Sequence, residues 1–232
     1  MKKTISLLLI SMLFSISAIS QNDTFFSKTD SFLKKYVSNN SVDYAAIKTN
    51  PNELDELLKI IANYELTKDE VSNKAFLINA YNLLVINGIT IKFPVKSPLD
   101  IAGFFDKILY TISTKKITLN DIENKMLRAK YDDARLHFVL VCGAKDCPPI
   151  IPEAYLPETL DAKLDQQTIK ALNNPNFIRV KGNKIQISQL FEWYKADFKS
   201  KEIDFINSFR EAKLNPKSKF TYYPYDWSLN KN

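Results

Sequence analysis

The segment RLHFVLVCGAKDCPPI, residues 135–150, holds the only histidine of the chain, His137, and both of its cysteines, Cys142 and Cys147. With a single imidazole available, any cysteine–histidine, serine–histidine or histidine–metal chemistry runs through His137. A thiol acts as a nucleophile in its thiolate form, which an imidazole within hydrogen-bond reach stabilises and a third polar group orients. Asp197, set beside Trp193, Tyr194 and Phe198, is the acid that would orient His137; its other use is to pair with Arg128 or Arg135. The same cysteines, five apart across a loop, also satisfy the separation of a disulfide. A zinc site built from His137, Cys142, Cys147 and Asp146 is a third arrangement, but its spacing matches no common ligand pattern and adjacent Asp146 and Cys147 would crowd one ion. No G-x-S-x-G elbow, Walker loop, G-x-G-x-x-G or H-E-x-x-H occurs, and neither a cofactor nor a resident metal is expected.

Which of these arrangements forms depends on the elements that carry the residues. The stretch RLHFVLVC, apolar on both faces, predicts a central strand with Leu136, Phe138, Leu140 and Cys142 facing one way and His137, Val139 and Val141 the other. In such a strand His137 and Cys142 lie roughly 16 Å apart on opposite faces, so pairing needs a bulge or a strand end. Gly143 suits a sharp turn directly after Cys142, backbone N–H groups at Gly143 and Ala144 could serve as oxyanion donors, and Cys147 could fold back toward the strand.

Upstream, LTKDEVSNKAFLINAYNLLVINGI predicts a buried helix that Thr67 and Glu70 open as a capping box and Gly88 closes. Asn79 and Asn82 share a face on it, and each buried amide needs partners. They either tie down a neighbouring loop or, with Tyr81, shape a polar pocket. ILYTISTKKITL and NFIRVKGNKIQIS predict β-hairpins, the second turning at Gly182 and Asn183. Further helices are predicted over FFSKTDSFLKKYV, ELDELLKIIANYEL, DIENKMLRAKY (opened by Thr118 and Asp121 as a capping box), PETLDAKLDQQTIKALNN, QLFEWYKADF and EIDFINSFREAKL. Helices early and strands late imply an α+β fold.

The chain opens MKKTISLLLISMLFSISAISQN, with Lys2 and Lys3 before an apolar run and small residues Ala18 and Ser20 before Gln21. This pattern predicts a signal peptide over residues 1–20, hence a secreted or periplasmic protein with no integral membrane segment after cleavage. Residues 21–232 then form one globular domain, in a compartment where neighbouring cysteines tend to bridge. Without the leader the formal charge falls from +6 to +4, carried by lysines scattered among acids, and this does not indicate nucleic acid as a partner. A peptide or small-molecule ligand is the expected partner; oligomeric state is not legible.

AFLINAYNLLVINGI, DIENKMLR, RLHFVLVCGAKDCPPI, SQLFEWYKADF and YDWSLN, in this order, resemble the bacterial branch of domain-of-unknown-function family 547, over about Asp30 to Asn230. The resemblance implies kinship with papain-like and transglutaminase-like thiol enzymes: a central helix packed on a small antiparallel sheet, the nucleophile at the helix start and the histidine on a following strand. Here the matching helix offers Asn79, Tyr81 and Asn82 but no cysteine, which leaves Cys142 or Cys147 as the thiol. By the family's motif His137, Cys142, Gly143, Asn79, Asn82, Arg128 and Asp197 are the positions to suspect. The expectation is a thiol-dependent hydrolase of peptide or amide bonds; the alternative is a non-catalytic envelope protein, ligand-binding or structural, with a Cys142–Cys147 disulfide loop.

Overall fold

The computed structural model describes residues 24–232; the expected leader lies outside them. A helix over residues 24–36 (α1) leads through a short ribbon, β1 (Val37–Ser38) and β2 (Ser41–Val42), into α2 (Tyr44–Thr49) and α3 (Asn52–Asn63). The long helix α4 (Glu70–Lys92) follows and is buried from Ser72 to Thr90 almost without interruption. It is apolar all round because protein surrounds it on all sides: α2, α3 and the later helical segments pack against it.

Both predicted ends of α4 need correcting. The N-cap is Asp69, whose carboxylate accepts from Val71 N–H at 3.0 Å and Ser72 N–H at 3.3 Å, while Thr67 is tied back by the Asn73 amide. Gly88 does not end the helix. It lies within it because a Cβ there would stand 2.3 Å from the Tyr110 hydroxyl and 2.7 Å from the Phe104 ring; the glycine permits close packing where a turn was expected.

The first predicted hairpin forms as β3 (Tyr110–Ile112) and β4 (Lys115–Ile117). Then α5 (Leu119–Asp121), capped by Thr118 as expected, runs into a π-helical segment, Ile122–Arg128, and out through α6 (Ala129–Tyr131). After the region of the cysteines come α7 (Leu160–Leu172), the hairpin β5 (Ile178–Lys181) and β6 (Lys184–Ser188), the single turn α8 (Leu190–Trp193), α9 (Glu202–Phe209) and β7 (Phe220–Tyr223). The second hairpin turns at Gly182, with φ +58°. β5 pairs antiparallel with β6, and β7 adds in parallel to the other edge of β6.

This is the expected α+β class, arranged around two hydrophobic cores. One surrounds α4; the other gathers the inner faces of β5 and β6 with Phe191, Phe198, Ile203 and Ile206. The three-stranded sheet is therefore mixed and packs in the second core, whereas α4 is enclosed mainly by helices and loops.

The predicted central strand is not a strand. Ala134–Phe138 form a 3-10 helix, and residues 139–142 run on as irregular chain. Continuous apolar character fits a buried turn as well as a buried strand, since both bury every side chain. The segment bridges the cores: Leu136 and Val139 pack into the first, Phe138 into the second. Its backbone finds a partner in a side chain. The Asn82 amide donates to Val139 C=O at 2.9 Å and accepts from Val141 N–H at 3.0 Å, as one residue of a neighbouring strand would. Asn79 does the same for Tyr155, donating at 2.7 Å and accepting at 3.0 Å. Each clip satisfies buried groups that would otherwise cost about 1–3 kcal/mol.

Candidate functional site

A cavity of about 270 Å³ opens between the 3-10 segment, the π segment, α8 and the C-terminal tail, and His137, Cys142 and Cys147 all line it. A larger cleft of about 1160 Å³ beside Asp30, Lys34 and Asp69 has neither histidine nor cysteine on its walls. The smaller cavity is where the chemistry gathers.

One wall is an ion-paired cluster. His137 is buried, and its Nε2 lies 2.7 Å from Asp197 Oδ2. The Arg128 guanidinium grips the same carboxylate with two N–H donors, at 2.7 and 2.9 Å. Asp197 thus fills both roles that its sequence neighbourhood allowed, orienting the histidine and pairing with Arg128. The hydrogen bond from His137 and the guanidinium beside it, acting against burial, hold the Asp197 carboxyl well below the usual carboxylate range. An ionised carboxylate only accepts, so His137 Nε2 carries a proton toward it, and in the neutral tautomer that this bond selects Nδ1 is the acceptor. Tyr194 packs against the imidazole with ring centroids 4.1 Å apart and lies 4.5 Å from the Arg128 guanidinium. At the start of the 3-10 segment Asp133 accepts from Arg135 N–H at 3.0 Å, from the Arg135 guanidinium and from Lys74. Burial opposes its ionisation, but the two cations hold its pKa down to about 2.

Another part of the wall carries the thiols. Both are free, with the sulfurs 3.0 Å apart and no disulfide joining them. Cys142 is half-buried at the cavity and Cys147 lies deeper. The Cys142 sulfur is 3.3 Å from the Tyr225 hydroxyl; Cys147 Sγ accepts from Cys142 N–H at 2.8 Å. Burial disfavours a thiolate at either position. At Cys142 hydrogen bonds from Cys147, Tyr225 and the Ala144 N–H outweigh that burial and lower the thiol's pKa. Cys147 is pushed up, first by burial and then by donating its proton toward Cys142. The pair therefore shares a proton with Cys142 as the favoured thiolate.

Local sequence explains this geometry. Gly143 adopts φ +79°, and a Cβ there would meet Ile89 Cδ1 at 2.4 Å, so any other residue would strain the backbone of this turn and push the Ile89 side chain aside. The loop that returns Cys147 to Cys142 is fastened by the tail: Asn230 N–H donates to Gly143 C=O at 2.9 Å and Lys145 N–H to Ser228 C=O at 2.8 Å. Asp146, one of the conceivable zinc ligands, turns outward to accept from Asp226 N–H at 2.8 Å. Among the described residues no group of three or more His, Cys, Asp or Glu is disposed to hold a metal ion.

Of the other suspected positions, Tyr81 lines the cavity and Arg128 acts behind His137 through Asp197. Asn79 and Asn82 are not among its lining residues; their amides are occupied by the loop clips, the first of the two uses open to them. His137 and the sulfurs share the cavity without a hydrogen bond between them among the described residues. The sequence reading missed Glu123, which reaches the cavity and accepts from the Tyr81 hydroxyl at 3.0 Å. Its signal was present in DIENKMLR, but only π winding, with its i to i+5 repeat, brings Glu123 and Arg128 to neighbouring parts of one site; such segments recur at functional sites.

Residues 65–170 match the family model described as a protein of unknown function, DUF547. That segment is similar to the DUF547 family. No curated protein and no solved structure matches the chain. The DUF547 segment spans α4, the π segment, the 3-10 turn and both cysteines; Asp197, Trp193, Tyr225 and Trp227 lie beyond it, so the cavity is built jointly by the DUF547 segment and the chain that follows.

Proposed function

We propose that the protein is an exported thiol-dependent hydrolase of peptide or amide bonds, with Cys142 as nucleophile and His137, held by Asp197, as the proton carrier. The observation that supports this most is the placement of a half-buried sulfur at a cavity wall, facing His137's cavity and receiving hydrogen bonds that favour its thiolate. In the reaction the Cys142 sulfur adds to the carbonyl carbon, the C–N bond breaks as the departing nitrogen takes a proton, and water then cleaves the thioester to release acid and thiol. His137 exchanges these protons at Nδ1, because Asp197 keeps Nε2 occupied. The scissile group lies in the cavity that imidazole and sulfur both line. The export rests on the leader expected over residues 1–20.

Alkylation with iodoacetamide across about pH 6 to 9, followed by mass mapping, tests the reading. Cys142 is expected to react selectively, with a midpoint below that of an ordinary thiol, and Cys147 to stay protected. A quantitative Cys142–Cys147 bridge in the native protein, or labelling of both thiols only after unfolding, overturns it in favour of a disulfide-pinned, non-catalytic envelope protein.

A further inference from the structure

Aromatic rings make up much of the cavity wall. Trp193, 45% exposed, stacks on Trp227 with centroids 5.7 Å apart; Tyr225 lies 5.0 Å from the first ring and 4.9 Å from the second. Phe105 closes on Trp227 at 6.3 Å. Against this apolar rim stands one carboxylate, Glu123, which accepts from the Tyr81 and Tyr194 hydroxyls and makes no salt bridge among the described residues. Neither lysine nor arginine lines the cavity, and the nearest cation, Arg128, is spent on Asp197. A half-buried carboxylate with unused acceptor positions, framed by ring faces, complements a positive charge carried on an apolar stem: the charge meets the carboxylate and the quadrupoles of the rings, the stem lies along them. An anionic group would meet Glu123 and the sulfur favoured as thiolate, with no lysine or arginine on the cavity wall to receive it.

We infer that the cavity binds a lysine-like alkylammonium side chain, with Glu123 as the counter-charge and Trp193, Tyr225 and Trp227 as the cage. The volume, about 270 Å³, admits one group of side-chain size and no more than a small ligand. The inference deepens the hydrolase reading by naming the group adjoining the cleaved bond, yet binding of that group does not depend on thiol chemistry.

The chain has two tryptophans, and both line this cavity, so intrinsic fluorescence reports on it directly. Wild-type protein is titrated with Nα-acetyl-lysine amide, its norleucine analogue, which keeps the stem and lacks the charge, and the glutamate analogue. A saturable change is expected with the lysine compound at about ten-fold lower concentration than with norleucine, weakened by added salt, and no saturable change with glutamate. Glu123→Gln should raise the lysine value to that of norleucine. Equal response to lysine and norleucine, saturation by the glutamate analogue, or no saturation by any of the three overturns the inference. If Glu123→Gln does not fold, Trp193→Leu, at an exposed position, serves instead: Trp227 still reports, and unchanged preference for lysine sinks the cage. Fast alkylation of Cys142 without lysine binding would remove this inference and leave the hydrolase reading standing; lysine binding with an inert thiol would do the reverse.

Discussion

The two walls of the cavity handle protons in opposite ways. On the His137 side two carboxylates are matched: Asp197 answers Arg128 and the imidazole, and Asp133 answers Arg135 and Lys74. On the Cys142 side nothing is matched by a full charge; two sulfurs and a phenol share protons through hydrogen bonds alone. The first wall is rigid and fixes a tautomer. The second is poised, because a shared proton leaves one sulfur electron-rich without a permanent counter-ion. Chemistry that needs a nucleophile and a separate proton carrier finds each on its own side of a small space.

Breaking the thiol wall should have the largest effect. Cys142→Ala is expected to abolish neutral-pH alkylation and any hydrolysis, whereas Cys147→Ala keeps a reactive Cys142 but moves the pH midpoint of alkylation upward, since a donor to the thiolate is gone. Tyr225→Phe should shift that midpoint in the same direction by less. Equal loss in Cys142→Ala and Cys147→Ala would mean that neither sulfur is singled out.

Breaking the ion-paired wall should cost stability first. Asp197→Ala leaves Arg128 uncompensated; because the carboxylate side chain is 24% exposed, about 2–3 kcal/mol is expected, below the ~3–5 of a fully buried pair. Urea unfolding monitored by circular dichroism measures it, and Asp197→Asn, which preserves shape, separates lost charge from lost packing.

Asn82→Ala tests the clip beneath both walls. Val139 C=O and Val141 N–H would lose their partner inside the core, at about 2 kcal/mol, with Cys142 displaced as well; urea unfolding reads the first and the alkylation midpoint the second. A change within about 0.5 kcal/mol would show that water or a shifted backbone replaces the amide.

Acid should weaken the matched wall through its carboxylates. Asp133 has its folded pKa lowered to about 2, so its stabilisation is complete above the unfolded value near 4 and is lost as pH falls from about 4 toward 2. The Asp197 pKa, lowered in the same direction, adds to the same slope. In Asp133→Asn the fall in stability with acid over this window should flatten, by about 2 kcal/mol at most; an unchanged slope would relocate acid sensitivity to other carboxylates.

Much of this was legible in the chain. The apolar circumference of α4, the hairpins at Thr111–Lys116 and around Gly182, and the Thr118 cap follow from periodicity and turn chemistry, which act over a few residues. The gathering of His137, Cys142 and Cys147 was legible as sequence proximity, and Asp197 as an acid in an aromatic setting. The strand over residues 135–142 was misread because hydrophobicity specifies burial without specifying backbone path, and the path here is set by the Asn82 amide, fifty-seven residues upstream of Val139. Gly88 was misread for a related reason: the collision that requires glycine comes from Phe104 and Tyr110.

By itself, then, the sequence determined which segments are buried, roughly where most helices and the two hairpins lie, that all imidazole chemistry passes through one ring, and that two thiols lie near it in the chain. Tertiary structure decided which thiol is favoured as thiolate, which nitrogen of His137 holds the proton, and that Glu123 belongs to the site. Those outcomes hang on hydrogen bonds a few ångströms long between residues as distant in the chain as Cys142 and Tyr225 or His137 and Asp197. Electrostatic preference falls off within such distances, so only the packing that brings these groups together can set it.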